Sequence, residues 1–242
     1  NYSLAITKVE VGAGITTIGS YAFGDLPYLT SVTIPNGITS IGEYAFQGSN
    51  NLPSITLPEG LLTIGDYAFY FCLNLTSVTL PESVTSIGMG AFGLCSMSSI
   101  TLPEGLLTIG DGAFVYCSQL VSLNIPPNIT SIGLGTFNGC SKLASITLPE
   151  GVATVGNFAF QYCSALATIR VLSATPPAAG NLAFNLLNQA SCKLIVPSGA
   201  KAAYQAAAYW QGFTNILEVT ASGTTGPLSW ILISDGTFTI SG

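Results

Sequence analysis

Short bursts of alternating apolar and polar residues run along this chain, and the bursts recur. In residues 29–48, Leu29, Val32 and Ile34 are apolar while Ser31 and Thr33 between them are polar; Leu52, Ile55 and Leu57, with Ser54 and Thr56 between them, repeat the arrangement. Alternation over so few positions predicts a short strand with one buried face. Pro35 cannot donate to a ladder and Gly37 permits an unusual backbone angle, so a corner is expected there. Ile38 and Ile41 then bracket Thr39 and Ser40 in a second short extended segment ending at Gly42. Glu43-Tyr44-Ala45-Phe46 is too short for a long helix and reads as a single helical turn that plants Phe46 in the interior.

The same unit returns down the chain. Gly19, Gly42, Gly65, Gly88, Gly110, Gly133 and Gly156 are spaced by 23 residues with one step of 22, and Phe23, Phe46, Phe69, Phe92, Phe114, Phe137 and Phe160 keep the same step. Phe184 follows after 24 residues, and the missing residue falls in "CSMSSITLP", where Met97 fills the slot held by Leu75 one coil earlier. A fixed period in the twenties predicts a solenoid, in which each coil buries its apolar face only by stacking on its neighbours. The expected fold is therefore an α/β repeat solenoid of short parallel strands, mostly strand and turn, over residues 1–187. Residues 188–219 change character and predict a C-terminal helical cap, with Ser198 as N-cap, an Ala-rich helix over 200–208, and Tyr204, Tyr209, Trp210 and Phe213 sealing the open end. Residues 220–242 read as a β-hairpin about Ser234-Asp235-Gly236, the start of a further module.

Composition narrows the function. The 242 residues are 48% hydrophobic, ample for a core, yet only 7% are charged, so solubility rests on Ser, Thr, Asn and Gly, as suits a protein outside the cell. A net charge of −6 with five scattered Lys and Arg leaves no basic patch for phosphates, which argues against nucleic acid. No apolar run approaches the length of a membrane span. The opening "NYSLAITKVEV" has no basic and apolar leader, so any export signal is expected to have been removed or to lie outside this sequence.

Candidate chemistry is sparse. Cys72, Cys95, Cys117, Cys140 and Cys163 form a column at the repeat step, but the chain has no His and the column also holds Leu26, Ser49 and Leu187, which favours buried thiols over a metal site. Glu59, Glu82, Glu104 and Glu150 recur at the corner after Pro and read as solvated turns, since catalytic carboxylate pairs need unlike environments. There is no nucleophile motif or phosphate loop, and no cofactor is expected. Two surfaces stand out as candidate partner contacts. One is the outward strand face, with Thr56, Thr79, Thr101, Asn124 and Arg170 in one column beside a column of Ser. The other follows each buried Phe, where Tyr70, Phe71, Tyr116 and Tyr162 vary between coils and Tyr44, Tyr67 and Phe158, two residues before their Phe, extend the stripe.

The strand spacing L-x-x-L-x-L is that of a leucine-rich repeat, and the 23-residue form carrying I-G-x-x-A-F-x-x-C resembles the BspA-like leucine-rich repeat of bacterial surface proteins over residues 4–187. Thr136 replaces the Ala in one copy, and the slot after the strand, an Asn or Cys in the general pattern, holds Gly37, Gly60, Ser83, Gly105, Asn128 and Gly151. The resemblance implies a non-catalytic, secreted or cell-surface module that binds a protein or host-surface macromolecule, adhesin-like in role. A structural spacer in a larger surface protein is the alternative. A polysaccharide-acting β-solenoid enzyme would need a non-repeating cluster of carboxylates that the sequence does not display.

Overall fold

The computed structural model describes residues 5–241; the first four residues of the expected solenoid segment and the last of the hairpin tail lie outside that range. Each coil contributes two short strands. The first set includes Lys8–Glu10, Ser31–Thr33, Ser54–Thr56, Ser77–Thr79, Ser122–Asn124, Ser145–Leu148, Thr168–Val171 and Lys193–Val196. They pair in parallel, with Ser31 opposite Lys8, Ser54 opposite Ser77, and Ser122 opposite Ser145 and then Thr168. The second set forms two parallel ladders on another side of the coil, one from Thr17–Ile18 to Thr108–Ile109 and one from Ser131–Ile132 to Ala178–Ala179. Where the repeat loses one residue, the first ladder thins to a single bridge between Ser99 and Ser122. A coil one residue short cannot keep both ladders in register.

Alternation decides what is buried. Ile55, Val78, Leu123 and Ile146 point inward and are buried, while Ser54, Thr56, Thr79 and Asn124 are exposed. The phenylalanines share one continuous core. Successive rings from Phe46 to Phe184 stack nearly parallel with centroids 5.2–5.8 Å apart. All belong to a single apolar cluster running from Ile18 to Ile216. Full burial of each such ring contributes about 1.5–3 kcal/mol.

The segment around each Phe is not the helical turn the sequence suggests but a stack of β-turns. Tyr44, Phe46 and Gly48 donate their N–H groups to Asp66, Ala68 and Tyr70 of the next coil (2.9, 2.8 and 3.0 Å), whereas the N–H groups of Gln47 and Ser49 close turns onto Tyr44 and Phe46. The cause is a left-handed residue at every fourth position: Tyr44 has φ +55° and Gly48 φ +71°, which turns alternate amides along the solenoid axis. The Ile-Gly step has a steric origin. A Cβ at Gly110 would lie 2.4 Å from the Met89 nitrogen, so only glycine lets the backbones approach this closely.

The C-terminal end is sealed by aromatics. Trp210 and Phe213 are buried against Phe184 at 4.8 and 5.1 Å, and Tyr204 meets Trp210 edge-on at 5.4 Å. The Trp210 indole N–H donates to the Pro177 carbonyl at 2.7 Å and the Tyr204 hydroxyl to that of Ser173 at 2.8 Å. The helix is shorter than expected, Lys201–Ala206, and Ser198 does not cap it. The preceding position is Ala200, in a right-handed helical conformation, with no side-chain cap. Instead Glu218, reaching over from the adjacent strand, accepts the Lys201 N–H at 3.0 Å. That strand, Ile216–Thr225, pairs in parallel with the solenoid at one end and antiparallel with Leu228–Ile233 at the other, with a register shift between Val219 and Ala221. Leu228–Ile233 and Phe238–Ser241 form the hairpin read from the sequence. It folds back so that Ile231 and Ile233 cover Ile195 and Leu217 in a second small core.

Candidate functional site

Two surfaces carry the residues singled out from the sequence. On the strand face, Thr56 lies opposite Thr79 in the ladder, and Asn124, Thr147 and Arg170 are successive partners. Thr56, Thr79, Thr101 and Asn124 are exposed; Arg170 is half-buried beside the hairpin. Thr101 and Asn124 flank a cleft of about 230 Å³ where the ladder thins at Ser99. From Ser31 to Thr147 the face is hydroxyl-lined but for Asn124, and Arg170 follows.

The turn edge is more individual. Tyr21, Tyr44 and Tyr67 stack on one another at 4.8 and 4.9 Å with an interplanar angle of 11°, and Tyr70 meets Tyr67 edge-on at 5.5 Å. Desolvation raises the Tyr44 hydroxyl above its ordinary pKa, with its neighbours Tyr21, Tyr67, Glu43 and Asp66 adding to the effect. The ring column then stops. Gly90, Gly112 and Gly135 take the next three places, and Phe158 resumes it. The gap is a trough of about 380 Å³ between Tyr67 and Tyr70 on one side and Phe158 on the other, with Asp111 along it. Asp66 and Asp111 each spend one carboxylate oxygen on the next coil, accepting the Met89 and Leu134 N–H groups at 2.7 Å. Sequence reasoning found the tyrosines but not Tyr21, which begins the stack, nor the glycine gap; both lie at the repeat step from Tyr44 and were visible there.

A parallel column holds Phe71, Leu94, Tyr116, Gly139 and Tyr162. Phe71, Tyr116 and Tyr162 are 42%, 49% and 47% exposed and adopt φ of +62°, +55° and +61°. Tyr116 leans over Gly139, where a Cβ would sit 2.3 Å from its ring, and Tyr116 and Tyr162 border one shallow hollow. The candidate aromatics thus form two groups: Tyr44, Tyr67 and Tyr70 with the trough, and Tyr116 with Tyr162.

The cysteine column is interior. All six thiols are free and buried. Cys72, Cys95, Cys117, Cys140 and Cys163 each donate to the carbonyl of the preceding coil's Phe, at 3.0–3.2 Å. Burial pushes Cys72, Cys117 and Cys163 up to about 12. Glu59, Glu82, Glu104 and Glu150 are exposed at their corners. Among the described residues no cluster of His, Cys, Asp or Glu could hold a metal ion, and no helix is long and apolar enough to cross a membrane.

Comparison with known proteins gives a consistent picture. The model of the BspA type leucine rich repeat region matches residues 1–120 and 62–193, in six copies. The solved structure of a leucine-rich repeat protein from T. pallidum is 32% identical and superposes with a TM-score of 0.64, covering 66% of this chain and 78% of that one. A leucine-rich repeat protein from Bacteroides ovatus is 25% identical at a TM-score of 0.61, covering 87% and 68% respectively. A leucine rich cell surface protein from Faecalibacterium prausnitzii is 26% identical at a TM-score of 0.53, covering 82% and 62%. A search of curated proteins finds no match.

Proposed function

The chain belongs to the BspA-type leucine-rich repeat family, and from that premise we propose that it is a non-catalytic, secreted or cell-surface module that binds a protein or host-surface macromolecule through its aromatic turn edge. The observation that carries this reading is the exposure of Phe71, Tyr116 and Tyr162. The stacked turns impose positive φ at this position in every coil, and Leu94 meets it as well, at φ +63°. What sets these three residues apart is the side chain: each presents an aromatic ring with nearly half its surface in water, in a column where Gly48 and Gly139 occupy the same turn position. Rigid exposed aromatics are the usual anchors of protein interfaces, and solenoids present them along an extended surface. The resemblance to a cell surface protein supports the location.

The test is binding of the purified chain to extracellular matrix proteins and to intact host cells, compared with a variant carrying Tyr70→Ser, Tyr116→Gly and Tyr162→Gly. Binding by the parent and at least about a tenfold loss in the variant are expected, since hot-spot aromatics are worth 2 kcal/mol or more. The glycine substitutions relieve positive φ, so the fold survives them. Binding that ignores the substitutions removes the aromatic edge from the reading. One observation favours a second role, as a spacer segment of a larger surface protein: the column of Ser31, Ser54, Ser77, Ser99, Ser122 and Ser145 repeats one small hydroxyl side chain through six successive coils. Absence of binding by the parent chain favours that role.

A further inference from the structure

Arg170 is the only arginine in the chain. Among the described residues the ion pairs are Lys8 with Glu10 and Lys193 with Asp235; none involves Arg170. Its Nε is buried with no hydrogen-bond partner. This follows from its place in the fold. Arg170 sits in the outward row of the first ladder, next to Ile195, where the hairpin closes over the sheet. On its free side lies a hollow of about 360 Å³, bordered by Arg170, Leu172, Pro197, Ser198, Val219 and Ser222. Glu218, on the next strand but one, accepts the Lys201 N–H. Desolvation lowers the Arg170 pKa, as expected of a cation left without a counter-charge.

We propose that Arg170 and the hollow beside it form a carboxylate-binding site for an acidic side chain or C-terminus of a protein partner. A guanidinium presents donors in a planar fork that matches a carboxylate two-to-two, and a partly desolvated fork gains most from such a partner. Ser198 and Ser222 also line the hollow, and Leu172, Pro197 and Val219 give apolar walls for the methylenes that carry an amino-acid carboxylate. The identity of the partner as a protein rests on the proposed reading of this chain as a protein-binding module; the site itself does not.

Because the arginine is unique, its Nε–H gives one unambiguous resonance in a nitrogen–proton correlation spectrum. Titration of the full chain with sodium acetate, at constant ionic strength set with chloride, is expected to shift that resonance saturably, in the millimolar range typical of a single charged contact. N-acetylglutamyl amide is expected to do the same and N-acetylglutaminyl amide to do nothing. In Arg170→Lys, which keeps the charge but loses the fork, the backbone amides of Ser198 and Ser222 are expected to report binding weakened about fivefold or more. A shift that stays linear with acetate, or that chloride alone reproduces, overturns the site. Saturable binding of acetate and glucuronate without binding of the glutamyl amide keeps the site and overturns the protein partner. Neither result depends on whether the aromatic edge binds cells or matrix.

Discussion

A thiol in the cysteine column is small enough to fill the space beside the Phe ladder and polar enough to satisfy a carbonyl of the coil before it. Ser49, in the same slot, is buried with its hydroxyl unpartnered, so shape and depth, not hydrogen bonding alone, set the position. Burial raises these thiols, so the folded chain keeps protons that the unfolded chain loses above pH 9. The unfolded state then binds fewer protons, and stability falls as pH rises from about 9 towards 12, while it is fully present below pH 9. For a thiol shifted from 9.0 to about 12, as Cys72, Cys117 and Cys163 are, the loss at about pH 10.5 is roughly 2 kcal/mol each. Guanidinium unfolding at neutral pH and at that alkaline pH measures it; an unchanged midpoint contradicts the burial of the column. The column was legible in the sequence as an apolar, interchangeable slot. Its hydrogen bond to the Phe carbonyl was not, because that depends on how one coil is offset against the next.

At the scale of one coil, three segments must return the chain to its start after 23 residues, and each does so by a different device. Two short strands add to parallel ladders, while the stacked turns use left-handed residues to aim every second amide at the next coil. The glycine before the turns sets how closely the coils approach. Gly110→Ala puts a methyl 2.4 Å from backbone, which cannot rotate away, so the local stack must open. A loss of about 1–3 kcal/mol, the range for overpacking, is expected, with faster amide exchange at Gly112 and Ala113. Gly12→Ala serves as control, since nothing lies within 4 Å of its Cβ position. Strand positions and corners could be read from alternation and proline. The turn stack could not be told from a helical turn, because four residues contain too little periodicity to separate the two.

The whole molecule is held together along its axis, coil on coil, and therefore frays from its ends. The described N-terminal coil has its Phe23 partly buried, whereas the C-terminal end closes on Trp210 and Phe213. Trp210→Ala removes the largest plug and orphans the Pro177 carbonyl, and about 3–5 kcal/mol is expected to be lost. In a chain whose stability is nearly a sum of nearest-neighbour terms, that loss appears first as exchange of amides near Phe184 and only later near Phe92. Hydrogen exchange read residue by residue checks it; uniform exchange along the chain contradicts the one-dimensional picture.

What the sequence by itself determined was everything that repeats: the period, the parity of the strands, the shared core of phenylalanines and the interior cysteines. Each of these is a contact between residues about 23 apart, made again in every coil, so one local pattern specifies it many times over. The tertiary structure alone decided what happens once. The hairpin folding back over Ile195, the replacement of Ser198 by Glu218 at the helix start and the isolation of Arg170 all come from pairings with no counterpart in other coils. A single such contact leaves no periodic trace in the sequence, because its energy depends on where two unlike segments meet in space.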